Sequence, residues 1–169
     1  YPQGVMEIMP CADEQFYSFK FVNGHPANPT KGKMSVTALG MLAEVSNGYP
    51  LMISEMTLLT AIRTAATGAL GARYMANQDS SHLALIGTGA QAEFQLLAMQ
   101  VVLPITKVSY FDTDREAMEK FHKHMKEKAE LQPCESIEEA IKEADVVITA
   151  TAIKGKANLF ERHMLKSGA

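Results

Sequence analysis

The run His82-Leu-Ala-Leu-Ile86 passes directly into Gly87-Thr-Gly89-Ala-Gln-Ala92: an apolar strand, a tight glycine turn and a helix start in immediate succession. Such a turn can cradle a phosphate. Gly87 permits the turn, Gly89 lets the backbone approach a pyrophosphate with no Cβ in the way, and Ala92 takes the place of a third glycine, allowing helix to pack close on strand. The first N–H groups of the helix, which have no partner within it, then face the anion. A second strand, Lys107-Val-Ser-Tyr-Phe111, ends in Asp112. It lies roughly 20 residues beyond the glycines, where a carboxylate accepts from a ribose 2′-hydroxyl and repels a 2′-phosphate. NAD is favoured over NADP on that reading; the competing reading makes Asp112 a carboxylate at a helix start beside Thr113.

Other side chains invite the same question. In the strand Gln15–Val22, Tyr17, Phe19 and Phe21 share one face and leave Ser18, Lys20 and Val22 on the other. Lys20 is either an edge-strand charge that discourages sheet-to-sheet association or a cation held for an anionic ligand. Glu7, inside the apolar strand Gly4–Met9, poses the question with opposite sign. On a helical stretch from Glu55 to about Tyr74, Thr60, Arg63 and Thr67 form a stripe, and an arginine flanked by hydroxyls either binds phosphate or carboxylate or faces solvent. Thr149 to Thr151 close the strand Asp145–Thr149, at the end where parallel sheets bind ligands; they are equally readable as a polar strand cap.

These groups need elements to hold them. The first segment reads as an antiparallel sheet: the two strands already given, a turn at Asn23-Gly-His-Pro26, a long apolar run from Met34 to Val45, and a hairpin through Ser46-Asn-Gly48 into Tyr49–Ser54, with no helix before position 55. In the helix that follows, Leu58, Leu59, Ile62, Ala66, Ala69 and Leu70 are expected on the buried side, and Ala65, Ala66, Gly68, Ala69 and Gly71 let another element approach. After the glycine turn the expected buried stripe is Phe94, Leu97, Ala98 and Val101. Thr113-x-x-Glu116 and Ser136-x-x-Glu139 have capping-box spacing, the first helix burying Met118, Phe121, Met125 and Ala129, the second Ile137, Ala140, Ile141 and Ala144. Leu131 to Cys134 is a brief strand. The fold class is α/β: an antiparallel-sheet segment, then the first half of a doubly wound parallel sheet. The expected division is 1–75, with a linking helix 55–75, and 76–169, the change falling near Met75 to Ser81.

Composition excludes several classes. A net charge of −3 with 21% charged residues provides no basic surface for nucleic acid, and the lysines from Lys120 to Lys128 alternate with Glu119 and Glu127 as a solvated helix face. No run approaches the roughly 18 apolar residues of a membrane span. Cys11 and Cys134 read as free thiols of a reducing compartment, the cytoplasm, and no metal-ligand spacing is present. A first residue other than Met, and a last one where a further strand could begin, read as a fragment of a longer protein.

Three runs carry a resemblance: Tyr17-Ser-Phe-Lys-Phe-Val-Asn-Gly-His-Pro26, Leu59-Thr-Ala-Ile-Arg-Thr-Ala-Ala-Thr67 and Ile86-Gly-Thr-Gly-Ala-Gln91. Together, in this order and spacing, they closely resemble the ornithine cyclodeaminase/mu-crystallin family, the cyclodeaminases in particular. The resemblance implies a substrate and dimerisation domain, a Rossmann domain, a homodimer and conversion of L-ornithine to L-proline and ammonia with NAD recycled. Lys20 and Arg63 match positions that hold the substrate carboxylate, Arg63 also near the cofactor, and Glu7 matches an acidic residue near the reacting amine or its attacking water. Ser35 stands where a cofactor-contacting threonine is usual. Ala90 and Gln91, with Gly87 and Gly89, match the pyrophosphate loop; Asp112 matches the ribose acceptor and Thr151 a residue lining the cofactor site, with Thr67 added to that group. The family's catalytic aspartate and one carboxylate-binding arginine match no position here, so this segment alone is expected to be inactive. The alternatives are a ketimine reductase or amino-acid dehydrogenase of the same family and a non-catalytic, mu-crystallin-like binding protein.

Overall fold

The computed structural model describes residues 3–152 and 158–169. Two compact units are formed, Tyr1–Ala61 and Ile62–Ala169. The first is an antiparallel meander of β1 (Val5–Ala12), β2 (Phe16–Gly24), β3 (Val36–Glu44) and β4 (Pro50–Glu55), in that spatial order. β1 runs beyond Met9 through Pro10, which pairs with Phe19. An edge strand tolerates the missing N–H because its outer side has no ladder to complete. The Ser46–Gly48 turn closes the β3–β4 hairpin, with Gly48 at φ 71° donating to the Glu44 carbonyl at 2.8 Å. A single 3-10 turn, Pro29–Lys31, stands in the loop after β2, where no helix is expected.

α1 (Thr57–Met75) follows, and the division between the units falls within it. Its buried side differs from the expected one. Ala69 is buried as expected and Thr60 and Ala65 join it, whereas Ala66 is exposed and Leu58, Leu59, Ile62 and Leu70 are each about half exposed or more. Small residues leave room there for α2 side chains: a Cβ on Gly68 would stand 2.9 Å from Gln95 Oε1.

The second unit continues with β5 (His82–Ile86), α2 (Ala92–Val102), β6 (Lys107–Phe111), α3 (Arg115–Met125), β7 (Glu130–Pro133), α4 (Ile137–Ile141) and β8 (Val146–Thr149). All four strands are parallel in the order β7-β6-β5-β8, so the chain leaves β5 in one direction and returns on its other side with β8. Alternation in β5 divides the core: Leu83 and Leu85 pack with Leu96, Met99, Tyr110 and Phe121, while Ala84 and Ile86 pack with Cys134, Ala140 and Ile141. Burying each large side chain there contributes about 1.5–3 kcal/mol. On α2 the buried stripe is Ala92, Gln95, Leu96 and Met99, and Val101 is exposed, which corrects the stripe read from Phe94. Both stripes satisfy the helical period; Gly68 beside Gln95 decides between them.

The α3 and α4 faces are as expected, Met118, Phe121 and Met125 on one and Ala140 and Ile141 on the other. Asp114 caps α3, its side chain accepting from the Glu116 and Ala117 N–H groups; the cap thus lies one residue after Thr113. Ser136 caps α4 and accepts from Glu139 N, while the Glu139 carboxylate reaches back to Glu135 N at 2.8 Å.

At the amino end of the parallel sheet, Asp145 accepts from the N–H groups of Ser81 at 2.9 Å and His82 at 3.0 Å and pairs with Lys166. Burial opposes its charge, yet the Lys166 ammonium and the two N–H donors hold the carboxyl down to about 2. A depressed carboxyl stabilises the fold fully above its unfolded value near 3.8 and loses that stabilisation as pH falls through 2. Its contribution is about 2 kcal/mol after discounting for partial exposure. Urea unfolding at about pH 5, above the window, and at about pH 2.5, inside it near its lower end, is expected to show most of that loss, and the Asp145→Asn variant a flatter profile. An unchanged profile in the variant would remove Asp145 from the acid response.

Candidate functional site

β5 ends at Ile86, and the turn that follows meets β6 and β8 at their carboxyl ends. Gly87 N donates to Phe111 O at 2.8 Å and Ala150 N to Ile86 O at 2.7 Å, tying three chain segments together. Gly87 adopts φ 98°, and a Cβ there would lie 2.7 Å from the Ala150 carbonyl oxygen. Only glycine fits both the backbone conformation and the space. At Gly89 a Cβ would meet nothing within 4 Å, so that glycine leaves room that no protein atom takes.

Asp112 closes the other side of the turn. Its Oδ2 accepts from Thr88 N at 2.6 Å and Thr88 Oγ1 at 3.2 Å, and its Oδ1 accepts from Asp114 N at 3.1 Å. The carboxylate is thus fastened to the glycine turn, and Oδ1 keeps a lone pair for a further donor. Both competing readings of Asp112 contain something of this geometry, since Asp112 also supports the residue that caps α3. No side chain caps α2 at Gln91, and Gln91 Oε1 is buried without a hydrogen-bond partner. Ala90 and Thr151 are exposed beside them in the chain segments that follow β5 and β8. A cleared glycine and an uncapped helix start fit the pyrophosphate of a dinucleotide, and an oriented carboxylate fits its ribose hydroxyl; the Gln91 oxygen, an acceptor, fits a donor and not the phosphate.

In the first unit Lys20 is half-buried on β2, with Met9 and Gly40 as its cross-strand partners. Its Nζ donates to Thr60 Oγ1 at 3.4 Å, and that hydroxyl itself donates to Met56 O at 2.7 Å. Glu7 pairs with Val22 and therefore shares the Lys20 face, one diagonal step away, with an exposed side chain. Ser35, half-buried ahead of β3, accepts from His25 N through its carbonyl at 2.7 Å. Arg63 and Thr67 are exposed on α1 in the second unit, the Thr67 hydroxyl donating to the Arg63 carbonyl at 2.9 Å. Thr88 and Thr60, which contact Asp112 and Lys20, were given no site role from the sequence. The signal for Thr88 was a hydroxyl enclosed between two glycines; for Thr60 it was membership of the Arg63 stripe. Among the described residues no group of His, Cys, Asp and Glu could hold a metal ion, and no helix is long and apolar enough to cross a membrane.

A parallel sheet in the order β7-β6-β5-β8, with its glycine turn at the point where strand order reverses, defines a Rossmann-type α/β unit preceded by an antiparallel sheet. The chain belongs to the ornithine cyclodeaminase/mu-crystallin family, whose model matches residues 1–169. It is 45% identical over 166 residues to an ornithine cyclodeaminase of Agrobacterium fabrum, covering 98% of this chain and 47% of that protein. A structure of a lysine cyclodeaminase, described for its recognition of L-lysine, L-ornithine and L-2,4-diaminobutyric acid, superposes with TM-score 0.88 at 32% identity, over 94% of this chain and 47% of the other. An archaeal alanine dehydrogenase dimer with bound NAD superposes with TM-score 0.80 at 35% identity, over 89% and 47%. The chain spans about half the length of the curated relatives it matches.

Proposed function

We propose that this chain supplies the NAD-binding turn and the carboxylate-holding cation of an ornithine cyclodeaminase, converting L-ornithine to L-proline and ammonia. The observation that carries the reading is Lys20, oriented on β2 by Thr60, in a chain 45% identical over 98% of its length to an ornithine cyclodeaminase. Gly87, Gly89, Ala90 and Gln91 receive the pyrophosphate, Asp112 the ribose, and Ser35, Thr67 and Thr151 offer hydroxyls to the cofactor. NAD held there would supply a hydride acceptor and donor for the amino-acid α-carbon, with no net redox change over the cycle. Lys20 and Arg63 hold the substrate carboxylate, which fixes the α-carbon in place. Glu7 handles a proton at the reacting amine or at its attacking water. Ring closure is intramolecular, and a tethered amine has a high effective molarity.

The same reading makes the protein a cytoplasmic homodimer. Supporting it, Ile8, Leu39 and Ile53 stand exposed on one face of the antiparallel sheet, and Cys11 and Cys134 are free. The test incubates the full-length protein with L-ornithine and a trace of NAD while proline, ammonia and cofactor absorbance are followed together. Equal proline and ammonia with no lasting NADH signal is the expected result. NADH rising in step with substrate loss would instead make it an amino-acid dehydrogenase, and NAD binding without product would leave imine reduction or a binding role.

A further inference from the structure

We infer that Thr88, the residue between the two glycines, is a positioning residue that aims the Asp112 carboxylate at the ribose and so sets the preference for NAD over NADP; this rests on the NAD reading above. Thr88 is only 4% exposed although it lies in a polar turn, so its hydroxyl does not serve solvent. Its N–H and its hydroxyl converge on one oxygen, Oδ2 of Asp112, at 2.6 and 3.2 Å. Two donors on one oxygen fix the plane of a carboxylate, which is acceptor only when ionised. The second oxygen, Oδ1, already takes the Asp114 N–H at 3.1 Å and has one further acceptor direction. Asp112 therefore offers a ligand a single, aimed acceptor.

A ribose 2′-hydroxyl donates to such an acceptor, whereas a 2′-phosphate meets a negative charge that cannot turn away. Without the Thr88 hydroxyl the carboxylate keeps one backbone donor on each oxygen, Thr88 N on Oδ2 and Asp114 N on Oδ1, but loses the third contact that narrows its rotation about the Cβ–Cγ bond. Both the gain from the ribose and the penalty on the phosphate then shrink. The consequence is a change in cofactor preference, which a residue that merely fills space would not produce.

The experiment is calorimetric titration of the full-length protein with NAD⁺ and with NADP⁺, for wild type, Thr88→Val and Thr88→Ser. Thr88→Val is expected to weaken NAD⁺ binding about 5- to 20-fold, with NADP⁺ affinity held or improved, so that the preference narrows. Thr88→Ser, which keeps the hydroxyl, is expected to stay within about twofold of wild type for both. Wild-type affinities in the valine variant, or an equal loss for both dinucleotides, would overturn the positioning role while leaving the NAD reading intact. A wild type that binds neither dinucleotide overturns both. Should valine not fold, Thr88→Ala deletes the same hydroxyl and is read in the same way.

Discussion

Replacing Gly87 by alanine is expected to cost about 2–6 kcal/mol of stability and to abolish dinucleotide binding. Two penalties add. The backbone sits at φ 98°, where an L-residue with a Cβ is strained by about 1–3 kcal/mol. The new Cβ would also stand 2.7 Å from Ala150 O, 2.8 Å from Ala150 C and 3.1 Å from Thr151 N. Every one of these atoms is backbone, so no flexible side-chain end can yield, and overpacking adds about 1–3 kcal/mol. Relief requires pulling Ala150 away from Ile86, whose carbonyl it holds at 2.7 Å, and so opening β8 from β5. Gly89→Ala is the contrasting control. No atom lies within 4 Å of its Cβ and its φ is not positive, so this variant should melt like wild type while binding NAD more weakly. Thermal melting and NAD titration of the two variants separate the glycine that builds the turn from the glycine that admits a ligand. If Gly87→Ala melts within about two degrees of wild type, the close approach to Ala150 does not govern the turn.

Much of the parallel sheet was legible because its signals are local. His82–Ile86 and Lys107–Phe111 are observed with the bounds read from the sequence, and Ser136 caps α4 as its spacing implies. Helix faces were less legible, for a physical reason. On α2 the residues Phe94, Leu97, Ala98, Val101 and the residues Ala92, Gln95, Leu96, Met99 both repeat at helical spacing. Hydrophobicity favours the first stripe, because Gln95 looks polar. What decides is a neighbour distant in sequence: Gly68 on α1, whose absent side chain makes room for Gln95. The same blindness misassigned α1, where the small face is buried and the leucines are exposed. Pairwise complementarity between helices cannot be read from either helix alone.

The candidate site divides along the same line. Gly87, Asp112 and the end of β8 were nameable from residue type and strand position, and the structure brings them together in one unit. That Asp112 is already committed to Thr88 was not legible, since the contact joins residues 24 apart whose distance depends on the pairing of β5 with β6. That Lys20 lies on the face of β2 opposite Tyr17, Phe19 and Phe21 followed from strand alternation. Its orientation by Thr60 did not, because it depends on how α1 begins after β4.

The same lysine carries the prediction with the largest effect on chemistry. Lys20→Met is expected to lower kcat/KM for L-ornithine about 100-fold or more while leaving NAD affinity unchanged. Methionine preserves the apolar stem and removes only the ammonium, so the melting temperature should shift little. The contact to Thr60 Oγ1 at 3.4 Å is long, and a substrate carboxylate can replace it at small cost. Losing one partner of a desolvated charge pair costs about 2–5 kcal/mol, which is the source of the expected factor. How the loss divides is informative. A raised KM with kcat intact would mean that Lys20 binds ground and transition states alike; a fall in kcat would mean that it holds the α-carbon in the geometry hydride removal needs. β2 is paired on both sides, so the edge-strand reading of Lys20 does not hold; a variant that turns over ornithine within about threefold of wild type would show that the Lys20 ammonium is not used for the substrate, whose carboxylate is then held elsewhere.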